Sequence, residues 1–361
     1  MKSKTLLILT NNSDGLYGFR HELIEELTKN YSVVAATPND GYFDELEKLG
    51  CRTIEIPVDR RGLNPVADIK LVFKYLRIIR KLKPDGVITY TIKPNIYGGL
   101  ACRINRISYA ANITGLGTAF QKRGALRKLI IRMYKVALRK ASVVFFENCG
   151  NKETLIREKI VTEKQCCVLN GAGVNTEHYY CTDVPADGKT EFLFIGRIMR
   201  EKGVNELFRA MQELKEEGID CKLRILGDYE EDYSELIERF SKEGWLEYDG
   251  YQLDVRPFIE RSHCFVLPSW HEGMANTLLE CGAMGRPLIT SNIHGCMEAV
   301  VEGKNGYLHE AKNADSLYEA MKKFALLPYD KKVEMGRASR EYICAHFDKK
   351  QVVEATVQRL Y

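Results

Sequence analysis

The run EFLFIGRIMREKGVNELFRAMQELKEE, residues 191–217, sets an apolar strand signal, a glycine-bounded basic loop and a helix signal in direct succession. Phe192–Ile195 is wholly apolar, as a strand covered on both faces of a parallel sheet is. Gly196 and Gly203 bracket a loop holding Arg197, Arg200 and Lys202, and Val204–Glu217 continues as a helix. In open parallel sheets ligands sit beyond the carboxyl ends of strands, so this loop is a place to expect chemistry.

The same rhythm extends in both directions. Downstream come strand signals at Lys222–Leu226, Trp245–Tyr248, Cys264–Leu267 and Pro287–Thr290, with helices at Tyr233–Lys242 and Thr277–Met284. Upstream, strands at Thr5–Leu9, Tyr31–Thr37, Arg52–Ile56 and Gly86–Tyr90 alternate with helices at Phe19–Asn30, Phe43–Leu49 and Pro65–Leu82. The stretch Cys181–Lys189, with Pro185, Asp187 and Gly188, reads as a linker. These signals predict an α/β protein of two Rossmann-like parallel-sheet domains, 1–180 and 181–346.

Composition agrees with that reading. A chain of 361 residues with 45% hydrophobic and 28% charged residues has ample core, which excludes a disordered, collagenous or disulfide-scaffold protein. Apolar runs such as Val143–Phe146 are too short to span a bilayer, and Met1–Thr10 lacks the features of a secretory signal. The 11 cysteines are scattered without a C-x-x-C pair, as reduced thiols in a cytoplasm are. The net charge of +4 conceals an asymmetry: residues 1–180 carry 29 Lys+Arg against 17 Asp+Glu, and residues 181–361 carry 24 against 32. The first half is thereby suited to an anionic surface.

Four stretches are candidates for chemistry. In Gly196–Gly203, the Arg197 fork and the Lys202 point charge suit a diphosphate, a solvated turn being the bland alternative. In Trp270–Glu280, the turn Gly273, Met274, Ala275, Asn276, Thr277 brings helix-start N–H groups towards an anion, with Glu272 before it and Glu280 one turn into the helix. Carboxylates beside a phosphate site make sense as acceptors for sugar hydroxyls. The first loop, Asn11–Gly18, carries Gly15 and Gly18 but no G-x-G-x-x-G, which argues against a standard dinucleotide site. Finally, Gln121–Lys140 has eight Lys or Arg in twenty residues, with Leu126, Leu129, Ile130, Met133, Val136 and Ala137 at helical spacing. This basic amphipathic helix is expected to lie on an anionic membrane through Arg127, Lys128, Arg132 and Lys135, against the alternative of an ordinary domain helix.

The sequence has no D-x-D pair, Walker A run or H-E-x-x-H, and its seven histidines show no ligand spacing, so metal-independent use of a diphosphate compound is expected. His271, beside Glu272, is the one histidine to watch.

Taken together, GRIMREKG (196–203), EGMANTLLE (272–280), GYQLDV (250–255) and SNIHGCMEAVVEGKNGYL (291–308) resemble the retaining nucleotide-sugar glycosyltransferases of family 4. KPNIYG (93–98), NITGLG (112–117) and NGAGVN (170–175) look like bacterial members that extend lipid-linked oligosaccharides for O-antigen, capsule or glycoprotein glycans. The resemblance covers essentially the whole chain and implies the GT-B fold, two Rossmann-like domains facing across a cleft, the last helix, from about Phe347 to residue 361, crossing back onto the first domain. It implies transfer of a hexose or N-acetylhexosamine from a UDP-sugar, without cofactor or metal. The acceptor would be a lipid-linked saccharide at the inner face of the cell membrane, and no nucleic-acid partner is implied.

Residue by residue, the resemblance assigns Arg197 and Lys202 to the donor diphosphate, Glu272 to donor-sugar hydroxyls and Glu280 to the ribose. The Gly273–Thr277 turn meets phosphate and sugar, Tyr251 and Gln252 border the base, and Gly15 and Gly196 complete the donor set. Arg197, Lys202 and Glu272 are the catalytic expectations, because front-face attack on the sugar needs a stabilised leaving diphosphate and no protein nucleophile. Two departures are present: Gly15 and Gly18 are separated where several relatives have adjacent glycines. No histidine stands in Ala111–Gly117, where Asn112 and Thr114 are the polar residues. Alternatives are an isomerase like the UDP-N-acetylglucosamine 2-epimerases, which needs acid–base groups around the sugar, and an inactive nucleotide-sugar-binding relative.

Overall fold

The computed structural model describes residues 4–59, 64–117, 120, 124–186 and 188–360. It divides into two compact units, Met1–Ala172 with Lys350–Tyr361, and Gly173–Lys349. The break comes ahead of the expected 180/181 boundary. The reason is local bonding: Val174 N–H donates to the Phe347 carbonyl at 2.8 Å, Thr182 N–H to Met284 at 3.3 Å, and Arg286 Nη2 to the Asp183 carbonyl at 3.0 Å. The first part of the expected linker is therefore fastened to the second unit, while Asp187 lies outside the described residues.

The first unit is a seven-stranded parallel sheet of β1 (Lys4–Leu9), β2 (Tyr31–Thr37), β3 (Arg52–Glu55), β4 (Gly86–Tyr90), β5 (Tyr109–Ile113), β6 (Val143–Phe146) and β7 (Cys166–Val168), in the order 3-2-1-4-5-6-7. Alternation along the strands sends Leu7, Leu9, Val34 and Val87 into one core and Leu6, Ile8, Val33 and Ile88 into the other. The first core is closed by helices Pro65–Leu82, Gly99–Asn105 and Ala125–Leu138. The second is closed by Ser13–Thr28, by Leu46 of Phe43–Lys48, and by Val352 and Leu360 of the terminal helix Lys349–Leu360.

The second unit is a six-stranded parallel sheet of β8 (Thr190–Ile195), β9 (Cys221–Leu226), β10 (Leu246–Tyr248), β11 (Cys264–Leu267), β12 (Leu288–Ser291) and β13 (Gly306–His309), ordered 10-9-8-11-12-13. Both sheets thus follow the doubly wound order, whose strand sequence reverses once. Phe192, Phe194 and Phe265 are fully buried in the second core, as the apolar runs predict.

The structure departs from the sequence reading in the first loop and in four strands. The expected loop 11–18 is mostly helix, because Ser13 and Asp40 exchange two hydrogen bonds, Ser13 N–H to Asp40 Oδ2 at 3.1 Å and Asp40 N–H to Ser13 Oγ at 2.9 Å. Gly15 and Gly18 are consequently helical. Strands β5, β6, β7 and β13 were not separately expected. In the basic stretch, residues 121–123 lie outside the described residues, and Ala125–Leu138 is helical as expected.

Candidate functional site

In the second unit the chain order reverses between β8 and β11, so the loops leaving these two strands diverge and open a crevice at their carboxyl ends. Residues 196–203 and 268–275 are those loops. They touch so closely that a Cβ on Gly203, whose φ is +76°, would collide with the Pro268 carbonyl. Trp270 N–H donates to the Glu201 carbonyl at 3.0 Å across the same gap. Gly295, with φ +91°, lets a third loop approach, since a Cβ there would stand 2.6 Å from the Gly273 carbonyl oxygen. The glycines in these motifs are therefore packing requirements of a loop cluster.

Lys202 and Glu272 meet inside that cluster. Lys202 Nζ lies 2.5 Å from Glu272 Oε1, and the Ser269 hydroxyl donates to the same oxygen at 2.7 Å. Both side chains are mostly buried, at 19% and 13% exposure. Burial alone would raise the Glu272 carboxyl, but the Lys202 ammonium and the Ser269 hydroxyl outweigh it and hold the group below its ordinary range. Glu272 is thus held as a carboxylate, and the pair places an ammonium for an anion next to an acceptor for hydroxyl donors.

Around this pair the expected residues divide. Arg197, on the same loop as Lys202, is half exposed, with Nη1 3.2 Å from Glu230 Oε2. Gly196 N–H bonds the Leu226 carbonyl at 2.9 Å and fixes the loop's start. Arg200, on the same loop, has its guanidinium over the Trp270 ring at 5.2 Å, and its backbone N–H donates to Glu231 Oε2 at 2.8 Å. His271 is engaged by Glu201, Nε2 to Oε2 at 3.0 Å. Met274 and Ala275 are buried in the core, so only their backbone can face a ligand. The helix Asn276–Ala283 starts without a side-chain cap, leaving its first N–H groups for an incoming acceptor. Asn276 Oδ1 is a buried oxygen without a partner.

Glu280 departs from the surface alternative. It is half-buried and hydrogen-bonded by the Tyr179 hydroxyl, and desolvation lifts its carboxyl from 4.5 to about 7 against the opposing pull of Tyr179 and Lys349. Arg340 fixes this arrangement by donating to the carbonyls of Tyr179 and Ala283, each at 2.7 Å. Tyr179 was missed by sequence reasoning, because nothing local in NTEHYY marks which tyrosine reaches a helix a hundred residues on. Tyr251 is exposed, and Gln252 donates to the Asp249 carbonyl at 2.7 Å. Their loop is tied to the one after β9 by Gly227 N–H to the Gly250 carbonyl, 2.8 Å. Tyr229, also missed, is exposed on that loop with its ring 5.1 Å from Tyr248.

In the first unit, Gly15 sits in the opening turn of the helix Ser13–Thr28. Asn112 is occupied within the sheet: its amide donates to the Thr89 carbonyl at 3.3 Å and its carbonyl accepts from Asn95 at 2.7 Å. Arg20 and Glu147, a further missed pair, meet at 2.6 Å beside the Tyr90 ring, near the carboxyl ends of β4 and β6. On the basic helix, Arg127 is tied inward to Glu158 and to the Phe120 carbonyl, unlike Lys128, Arg132 and Lys135, which are exposed. Its apolar residues split: Ala137 is buried, Ile130 and Met133 pack against the core, and Leu126, Leu129 and Val136 are exposed. Among the described residues no group of three His, Cys, Asp or Glu is placed to hold a metal, and no helix is long and apolar enough to cross a membrane.

Comparison with known proteins agrees with this geometry. The family model "Glycosyl transferases group 1" matches residues 183–342, and "Glycosyl transferase 4-like" matches residues 6–148. The chain is 28% identical over 348 residues, 91% of each chain, to the N,N'-diacetylbacillosaminyl-diphospho-undecaprenol alpha-1,3-N-acetylgalactosaminyltransferase of Campylobacter jejuni. It is 26% identical over 323 residues, 82% of this chain and 80% of the relative, to the UDP-Gal:alpha-D-GlcNAc-diphosphoundecaprenol alpha-1,3-galactosyltransferase of Escherichia coli. In fold it is similar to Anabaena HepE in complex with UDP and glucose, with a TM-score of 0.81, 16% identity and 99% coverage of both chains.

Proposed function

Because the chain belongs to the group 1, family-4-like glycosyltransferases and has their GT-B fold, we propose that it moves a hexose or N-acetylhexosamine from a UDP-sugar to a lipid-linked saccharide. The observation that carries this reading is the Lys202–Glu272 pair, held at 2.5 Å between the two loops of the switch point. The relatives from C. jejuni and E. coli, both named for diphospho-undecaprenol acceptors, support the lipid-linked acceptor and the setting in polysaccharide or glycan synthesis.

In this mechanism Lys202 and Arg197 receive the donor diphosphate. Lys202 exchanges part of its contact with Glu272 for phosphate oxygens, which places positive charge where the leaving group gains negative charge. Glu272, kept ionised, accepts hydrogen bonds from sugar hydroxyls, and the uncapped N–H groups at Asn276 and Thr277 add to the anion's cradle. Tyr251 and Gln252 border the base of the donor in this reading. The acceptor hydroxyl attacks the face that the diphosphate leaves, its proton passing to the departing phosphate oxygen, so the anomeric configuration is retained. No step uses a protein nucleophile or a metal. An isomerase reading needs acid–base groups around the sugar, and interconversion of the nucleotide sugar without acceptor would favour it.

A thermal-shift screen against UDP, GDP, ADP and their sugar conjugates tests the donor half. A ligand at a hundred times its Kd stabilises the folded state by about 2.7 kcal/mol. A selective upward shift with uridine ligands is expected, and a selective shift with another base would reassign the donor. The anomer of the product, read from its NMR coupling constant, tests retention.

We place the enzyme at the cytoplasmic face of the membrane, bound peripherally through the helix Ala125–Leu138. Lys128, Arg132 and Lys135 are exposed there, each basic side chain contributing ~1 kcal/mol near an anionic surface. Replacing all three with Glu is expected to weaken binding to phosphatidylglycerol vesicles by at least about 100-fold while leaving UDP affinity unchanged. Unchanged vesicle binding would return these residues to an ordinary solvated surface.

A further inference from the structure

The helix Pro65–Leu82 has two apolar stripes. Leu71, Tyr75 and Ile79 face the core, while Val66, Ile69 and Phe73 share the opposite side and are 60%, 58% and 65% exposed. The exposed stripe is interleaved with the cations Lys70, Lys74 and Arg77. A water-facing helix side does not ordinarily carry three large apolar residues at helical spacing.

This helix packs beside Gly99–Asn105, which packs beside Ala125–Leu138, all on one face of the first sheet. The neighbours repeat its pattern: Ile104 is 58% exposed and Leu129 54%. Two cavities of about 660 and 590 Å³ flank Arg103, the first between Gly99–Asn105 and the end of Ala125–Leu138, where β5 begins, and the second between the end of Ala125–Leu138 and residues 156–165. Arg106 and Lys140 line the first, and Lys135, Arg139 and Lys159 the second. Among the described residues none of these cations is ion-paired, and the one acidic residue on the three helices, Asp68, is already held by Lys93 at 2.8 Å. Five unpaired cations and Arg103 around two open cavities, bordered by exposed apolar side chains, are complementary to phosphate groups attached to hydrocarbon.

We propose that these three helices form one docking face for an anionic phospholipid bilayer, in which the Arg103-flanking cavities seat lipid phosphates and Val66, Ile69 and Phe73 enter the interface. This extends the peripheral reading above, on which it rests for its partner, from one basic helix to a headgroup site and an apolar wedge on residues outside that helix.

The test compares the full chain with two double variants, Arg106→Glu with Lys140→Glu and Ile69→Ser with Phe73→Ser, by sedimentation with phosphatidylcholine vesicles with and without phosphatidylglycerol. The UDP-induced thermal shift checks each variant's fold. Wild type is expected to bind only the anionic vesicles, the charge-reversed pair to lose at least about 100-fold in partitioning, and the serine pair about tenfold. If wild type binds and both pairs bind equally well, while the Lys128, Arg132, Lys135 variant does not, this inference fails and the peripheral reading stands. If wild type ignores anionic vesicles, both fail. Titration with inorganic phosphate and glycerol 3-phosphate separates the sources: saturable binding of either at micromolar concentration would reassign the cavities to a soluble phosphate and overturn the lipid assignment.

Discussion

Lys202→Ala is expected to lower kcat/KM by about 100- to 1,000-fold, the loss that follows removal of one preorganised group from a developing anion. The expectation comes from its setting. The ammonium is held by Glu272 in a mostly buried pocket, so its interaction with a leaving diphosphate is little screened by water. The substitution also leaves the Glu272 carboxyl mostly buried without its main cation, and burial, offset less, raises its pKa. The variant's pH profile should therefore gain an ionisation at higher pH that the wild type lacks. Lys202→Arg should recover part of the rate, because charge is restored while the compact point donor is not. Steady-state rates with a UDP-sugar and acceptor check this. A loss below about tenfold would remove Lys202 from the chemistry and leave its pair with Glu272 a structural one.

The second large effect concerns pH and Glu280. Burial raises this carboxyl from 4.5 to about 7, so near neutrality it is divided between a neutral and an ionised form. If the ionised form accepts the ribose hydroxyls, donor affinity follows the ionised fraction and rises about tenfold between pH 6 and 8. UDP-glucose is the right probe, since its diphosphate does not titrate in this range. Glu280→Gln should flatten the dependence. Tyr179→Phe should move it to higher pH, because the tyrosine hydroxyl now stabilises the charged form. The groups facing Glu280 are Tyr179, Lys349 and Cys281, and none of these titrates between pH 6 and 8 in its ordinary state. The stability consequence has the opposite sign. A raised folded-state value means that the neutral carboxyl stabilises the fold fully below pH 4.5, and this contribution is lost as pH rises through about 7. Glu280→Gln should remove that decline, which unfolding midpoints measured from pH 5 to 8 would show. A pH-independent Kd for UDP-glucose would take Glu280 out of nucleotide binding.

These effects also mark how far the sequence can be read. The strand Cys264–Leu267 and the helix Pro65–Leu82 are legible to the residue, because long apolar periodicity and a Pro84-Asp85 break leave little choice. The two loops at the switch point are legible for the same reason, each standing between a clear strand and a clear helix. The Lys202–Glu272 pair is legible only as two candidates 70 residues apart, and their contact follows from strand order. The burial of Glu280 depends on Tyr179 and Arg340, which reach it through tertiary packing, and no local pattern announces it. The exposed stripe of Pro65–Leu82 is hidden for a different reason: a helix with two apolar sides has the same composition as a buried one, and only the fold shows which side is covered. Arg127 and Arg200 show the converse, cations that look available in the sequence and are engaged by Glu158 and by the Trp270 ring.

The most direct test of the central claim is a transfer assay. The purified chain is incubated with a panel of UDP- and GDP-sugars and with undecaprenyl-diphosphate-linked saccharides, and UDP release and product mass are followed together. The account predicts UDP release from a UDP-hexose or UDP-N-acetylhexosamine that depends on acceptor, with one sugar residue added to the lipid-linked product. No transfer from any donor, or interconversion of the nucleotide sugar without acceptor, would contradict it.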